Sequence, residues 1–192
     1  MACKNRKNTE KPLILASSSP RRREILASAG YKFSVVPSGA EELTEAANPG
    51  ALVRGNALIK AREVASRPEC AGQKVLGADT VVVLDGEVLG KPRDAAEAKR
   101  MLRALSGREH FVLTGYAVIY PGGEEKSGVC STRVRFRELG GEEIDSYVAT
   151  GEPLDKAGAY GIQERGAGLV ESVDGDIDNV IGLPIGEIKK YL

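Results

Sequence analysis

The chain has 192 residues, with 27 basic side chains balanced by 27 acidic ones. That balance excludes the broad basic field of a nucleic-acid-binding protein, and 42% hydrophobic residues exclude a disordered chain. The length suits one domain with a core of its own, by the prior of roughly 100–200 residues per domain.

Residues 1–12, MACKNRKNTEKP, are polar and basic and contain no apolar segment, so they read as a flexible tail without a secretory signal or anchor. A single domain is expected over 13–192. No later run approaches the ~20 apolar residues of a membrane span. Cys3, Cys70 and Cys130 are odd in number and widely spaced, which argues against a zinc site and for free thiols in a reducing compartment. A soluble, cytoplasmic protein is the expectation.

Residues 13–17, LILAS, form a short buried-strand pattern. The following SSPRRREILASAG predicts a helix with Ser19 as N-cap, Pro20 at the first helical position and Gly30 as the stop. Free N–H groups at such a start attract anions, yet Arg21, Arg22 and Arg23 occupy the first turn, where the helix dipole disfavours cations. Alone, three arginines on a helix are a solvated surface. Converging with hydroxyls and free amides after a strand, they read as a polyanion site. A second strand is expected over 32–37, then an acidic loop with Glu41 and Glu42, and then a helix from Asn48-Pro49 to about Ser66 with Leu58, Ala61 and Ala65 on one face.

The stretch 76–91, LGADTVVVLDGEVLGK, organises the chain. Its apolar run meets one acid, Asp79, expected at the lip of a strand, and the chain returns through the hairpin signal Asp85-Gly86. Gly77 and Ala78 are expected to leave ligand room beside that carboxylate, and Lys91 to bring an ammonium back toward it. A fixed carboxylate near a fixed cation suits chemistry on phosphate. Asp94 and Glu97 then form a capping box for a helix whose stripe is Ala98, Met101, Leu102 and Leu105, closed at Gly107. His110, read as a strand-edge residue, opens a long strand that turns at Pro121-Gly122-Gly123 into a partner of similar length. A short helix is expected over 142–150. The glycine-rich remainder reads as a functional loop tied to a core, ending in a short helix after Leu183-Pro184.

Several motifs fail. Residues 86–91, GEVLGK, have one residue too few for a phosphate-binding P-loop, and Pro92 stands where Ser or Thr should bind magnesium. No GxGxxG follows a strand, and the lone histidine has no GxSxG to complete a serine triad. What remains is a hard cation held by oxygens such as those of Glu42, Asp79 or Asp155.

SSSPRRREIL, GADTVVVLDGEVLGKP, and GEPLDKAGAYGIQ ending in GLPI resemble the Maf family of nucleoside triphosphate pyrophosphatases over essentially the whole chain from Leu13. The resemblance implies an α/β fold, with a mixed twisted sheet, flanking helices and two lobes around a cleft, similar to the inosine triphosphate pyrophosphatases. It also implies a homodimer that hydrolyses a nucleoside triphosphate to the monophosphate and pyrophosphate with a divalent cation (Mg²⁺, Mn²⁺ or Co²⁺). Matched position by position, it places catalytic roles on Asp79, Lys91 and Glu42. Substrate contacts fall on Ser19, Arg21, Arg22, Thr80 and Gln163, and metal ligation on Glu42 and Asp79. Asp79 matches the general base. Glu41 lies one residue from the Glu42 assignment, and Asp155 and Lys156 fall in a matching motif without an assigned role.

Members acting on 7-methylguanosine triphosphate resemble this sequence but carry an aromatic residue in place of Arg21, Gln in place of Thr80 and Glu in place of Gln163. A glutamine amide can both donate to a pyrimidine O4 and accept from N3–H, whereas a glutamate suits the two donors of a guanine edge. The expectation is therefore dTTP and UTP, with modified pyrimidine triphosphates as an extension. Alternatives are a pyrophosphatase for 7-methyl-GTP or non-canonical purines, or a nucleotide-binding regulator of cell division. No nucleic acid or membrane partner is expected.

Overall fold

The apolar runs at residues 13–15 and 75–84 become neighbouring strands in a computed structural model that describes residues 13–192. The tail expected over 1–12, with Cys3, lies outside the described residues. In chain order the elements are β1 (Leu13–Leu15), α1 (Pro20–Ser28), β2 (Phe33–Val35), α2 (Pro49–Ala65), β3 (Val75–Leu84), β4 (Glu87–Leu89) and α3 (Ala95–Leu105). They continue as β5 (Glu109–Ile119), β6 (Glu125–Phe136), α4 (Gly141–Ala149), β7 (Val170–Asp174), α5 (Ile177–Ile181) and α6 (Ile185–Ile188).

Seven strands make one mixed sheet in the order β2-β1-β3-β5-β6-β7, with β4 paired to β3. The β1 pairings with β2 and β3 are parallel and the others antiparallel. The result is the mixed α/β fold that the resemblance implies. The β3–β4 hairpin turns through Asp85 and Gly86, both at positive φ, as a tight two-residue connection requires. Asp94 caps α3 by accepting from the Glu97 N–H, and Glu97 reaches back past the cap to accept from the Arg93 N–H, one residue before the reciprocal partner of a capping box. All four residues of the predicted α3 stripe are buried.

Helix α2 covers one face of the sheet, packing Val53, Ala57, Ala61 and Val64 on Ile14, Val75, Val81, Val83 and Ala117. The opposite face carries two separate apolar clusters. One joins α1 and α6 to β1 and β3 through Leu26, Ile188, Leu15, Leu76 and Ala78. The other joins α3 and α4 to β3, β5 and β6 through Leu102, Ile144, Val82, Val112 and Phe136. Along β3, Ala78 belongs to the first cluster and Val82 to the second, with Thr80 between them. That interruption gives the two lobes.

Four expectations change. Asp79 is the fifth residue of the ten-residue β3 and not at its lip. Gly77 offers no ligand room, because a Cβ there would lie 2.3 Å from the Ala57 carbonyl oxygen of α2, and Ala78 is fully buried. His110 is not at an exposed edge: it is 1% exposed, its Nε2 lies 2.7 Å from the Tyr160 hydroxyl, and Phe136 packs edge-on against its ring. The glycine-rich remainder contains β7 and α5, which the sequence does not mark because each has only five residues.

Burial pushes the His110 pKa down to about 4. An unfolded histidine titrates near 6.5, so between about pH 6.5 and 4 the unfolded chain binds a proton that the folded chain does not. Stability from this group is therefore fully present above pH 6.5 and is lost as pH falls toward 4, by at most about 3 kcal/mol. Urea unfolding at pH 7 and pH 4.5 should show His110→Gln losing less stability on acidification than the parent. An equal loss in both proteins would assign the acid sensitivity elsewhere.

Candidate active site

A cavity of about 590 Å³ opens where the sheet has a gap. Strand β1 reaches β3 only as far as Leu76, whose carbonyl accepts from the Ala16 N–H, and β4 begins to pair at Val82. Among the described residues, no strand covers positions 77–81 of β3 on that side. Asp79 and Thr80 sit in this open stretch, and because successive strand side chains point to opposite faces, both flank the same opening from different sides. The cavity is also lined by Ser19 at the N-cap of α1, Arg21 and Arg22 in its first turn, Glu42 of the acidic loop, Lys91 after β4, and Gln163. All eight residues carried over from the resemblance are thus brought to one place.

On the α2 side, Asp79 is nearly buried and each of its oxygens has a donor. Lys60 Nζ lies 2.8 Å from Oδ1, and Asn56 Nδ2 lies 3.1 Å from Oδ2. The same ammonium lies 3.0 Å from Glu42 Oε1, so Lys60 bridges the two carboxylates. It is Glu42, and not its neighbour Glu41, that reaches this ammonium. Sequence reasoning missed both Asn56 and Lys60. The available signal was two polar residues four apart within the otherwise apolar stripe of Leu52, Val53, Ala57, Ala61 and Val64.

On the opposite side, Ser19 caps α1 as predicted, its hydroxyl accepting from the Arg22 N–H at 3.4 Å. The Arg22 guanidinium donates to the Gly182 carbonyl at 2.8 Å, Ser17 Oγ at 3.0 Å and Thr80 Oγ1 at 3.1 Å. Thr114 Oγ1 donates to the Asn179 carbonyl at 3.0 Å, so its 2.9 Å contact with Thr80 must be an acceptance. Protons therefore run in one direction, from Arg22 to Thr80 to Thr114 to the α5 backbone. Thr80 is committed to holding Arg22. Burial lowers the Arg22 pKa from its ordinary value; Asp79 opposes this, Arg21 reinforces it and Glu42 opposes it again. The guanidinium stays charged at neutral pH all the same. Every hydrogen bond it makes goes to a neutral oxygen, so its charge has no carboxylate in contact among the described residues.

Arg21 and Asp155 meet at 3.3 Å across the cavity mouth, and Lys156 Nζ lies 2.9 Å from the other Asp155 oxygen. Burial alone would raise the Asp155 pKa, but hydrogen bonds and charge from Lys156 and Arg21 hold it below the ordinary value. Asp155 is thus engaged by two cations and stands apart from the Glu42–Lys60–Asp79 group. Lys91 and Gln163 face the cavity with no hydrogen-bonded partner among the described residues.

Among the described residues, no group of three or more His, Cys, Asp or Glu side chains is arranged to hold a metal unaided. Glu42 and Asp79 supply two converging carboxylates. That donor set fits Mg²⁺ or a similar hard cation, which commonly takes one or two carboxylates and completes its shell with water and substrate phosphate.

The chain is 50% identical over 182 residues to the dTTP/UTP pyrophosphatase of Syntrophotalea carbinolica, covering 94% of this chain and 83% of that one. It is 56% identical over 174 residues to the dTTP/UTP pyrophosphatase of Symbiobacterium thermophilum, covering 90% and 88%. Among solved structures, a nucleoside-triphosphatase (dITP/XTP pyrophosphatase) from Mycobacterium abscessus aligns with a TM-score of 0.42 and 22% identity, over 65% of this chain and 72% of that one. The family described as Maf-like protein matches residues 12–192, and the chain belongs to it.

Proposed function

We propose that this protein hydrolyses dTTP and UTP to the nucleoside monophosphate and pyrophosphate. The carrying observation is the separation of charge across one cavity: two carboxylates share Lys60 on the α2 side, while Arg22 and Lys91 face the cavity without carboxylate partners among the described residues. A triphosphate supplies the negative charge those cations lack. Relatives with half or more of their aligned residues identical carry the name dTTP/UTP pyrophosphatase, which supports the pyrimidine choice together with Arg21, Thr80 and Gln163.

Glu42 and Asp79 would hold a divalent cation, which when bound neutralises phosphate charge and polarises the scissile anhydride. Asp79 accepts the proton of the water that attacks the α-phosphorus, acting as general base. Arg22, fixed by Thr80 and Gly182, binds phosphate oxygens in a set orientation, and the free N–H groups at the start of α1 add donors beside it. Lys91 receives the charge of the departing pyrophosphate. The Gln163 amide pairs with the pyrimidine edge as both donor and acceptor.

A homodimer belongs to the same reading. Phe111 is 47% exposed on β5, opposite the buried Val83 of β3, and a second copy would cover its ring. Light scattering reads this as twice the chain mass. The buried free thiols of Cys70 and Cys130 accord with a reducing cytoplasm.

The test is pyrophosphate release from dTTP, UTP, 7-methyl-GTP and inosine triphosphate with Mg²⁺ or Mn²⁺. The parent should turn over dTTP and UTP fastest, and Asp79→Asn should lose kcat by about 10²–10⁴-fold while still binding nucleotide, the usual contribution of a general base. Equal turnover of 7-methyl-GTP contradicts the pyrimidine assignment. Unchanged kcat in Asp79→Asn contradicts the base.

A further inference from the structure

The acidic loop between β2 and α2 contains no helix or strand, yet its Glu42 must stay beside Asp79 for the two carboxylates to act together. Apolar packing holds it only in part, since Leu43, the residue after Glu42, is 44% exposed. Polar contacts to α2 complete the hold. At one end, Glu63 accepts from the Ser38 hydroxyl at 2.8 Å and the Gly39 N–H at 3.2 Å. At the other, Asn56 Oδ1 accepts from the Leu43 N–H at 2.7 Å while its Nδ2 donates to the Leu43 carbonyl at 3.2 Å. The same Nδ2 donates to Asp79 Oδ2.

Asn56 is 3% exposed and uses both its acceptor and its donor group in these bonds. Its orientation is fixed by chemistry: flipping the amide would set its oxygen against two acceptors and its nitrogen against a donor. Few side chains could replace it. Aspartate lacks the donors, leucine lacks both functions, and serine is too short to span from the loop backbone to β3.

We propose that Asn56 is a positioning residue that sets the spacing of Glu42 and Asp79 before any cation or nucleotide arrives. It acts through its single amide, which ties the residue after Glu42 to the Asp79 carboxylate. This inference rests on the functional reading above for the meaning of that spacing, but its geometry is independent of which triphosphate is used. Asn56 acts through the Asp79 carboxylate and takes no proton itself. Its effect is to remove the ordering of an otherwise irregular loop from the cost of binding. Partners of this kind behind metal-ligating groups typically change metal affinity by about 10–100-fold.

The experiment is an electron paramagnetic resonance titration of the full chain with Mn²⁺ alone, without nucleotide, beside pyrophosphate release from dTTP. Asn56→Leu should weaken Mn²⁺ binding by about 10–100-fold and lower kcat, with circular dichroism at the parent level. Should Asn56→Leu fail to fold, Asn56→Ser carries the same expectation with less change in polarity. Parental Mn²⁺ affinity in either folded variant overturns the proposal. So does a parent that hydrolyses dTTP yet binds no Mn²⁺ without nucleotide, which leaves the function standing. A parent that binds Mn²⁺ in an Asn56-dependent way but hydrolyses no triphosphate supports the positioning role and overturns the function instead.

Discussion

The close approach of α2 to the sheet governs the rest of this structure. Gly77 lies two residues before Asp79 on β3, and Gly115 lies directly opposite Asp79 on β5. A Cβ on Gly77 would sit 2.3 Å from the Ala57 carbonyl oxygen, and one on Gly115 would sit 2.3 Å from the Val53 carbonyl group. Helix backbone therefore rests on sheet backbone around a single carboxylate, with Ala57 and Ala61 keeping the contact thin. Only at that separation can a side chain as short as asparagine hydrogen-bond across the gap, and Lys60, one turn on, then reaches Asp79 and Glu42 together. A bulkier residue at either glycine would lift the helix and pull both donors from the carboxylate.

The second constraint is the division of charge. On the α2 side, negative groups are gathered and given one shared ammonium. On the α1 side, a guanidinium is fixed by a serine, a threonine and a backbone carbonyl, oxygens that orient it without cancelling its charge. Arg21 is handled differently, since Asp155 takes its charge at the cavity mouth. A polyanion entering the cleft thus meets one half-buried cation with no competing carboxylate in contact among the described residues, and one that must first leave an exposed partner. Exposed ion pairs contribute about 0–1 kcal/mol, so that exchange is inexpensive.

What was legible in the sequence follows from how locally it is encoded. The Asp85-Gly86 hairpin, the Asp94 cap of α3 and the Ser19 cap are each fixed within four or five residues, and the α3 stripe within eight; each appears as read. Asn56 and Lys60 were missed because their partner Asp79 lies 23 and 19 residues away, and a polar residue inside an apolar stripe reads as an interruption. Helix α5 has one turn of its own and is held from a distance, by Asn179 donating to Thr132 and to the Val112 carbonyl. Gly77 reads in the sequence as room for a ligand, and the structure fills that room with α2 backbone, because a glycine alone does not distinguish the two.

The account stands most directly on where water enters the triphosphate. If the cleft holds the α-phosphorus beside Asp79 and releases the outer two phosphates toward Lys91, hydrolysis of dTTP in ¹⁸O-labelled water should place the label in thymidine monophosphate, as read by mass spectrometry of the separated products. Label in the pyrophosphate would mean attack at the β-phosphorus, and the assignment of the two sides of this cavity would be wrong.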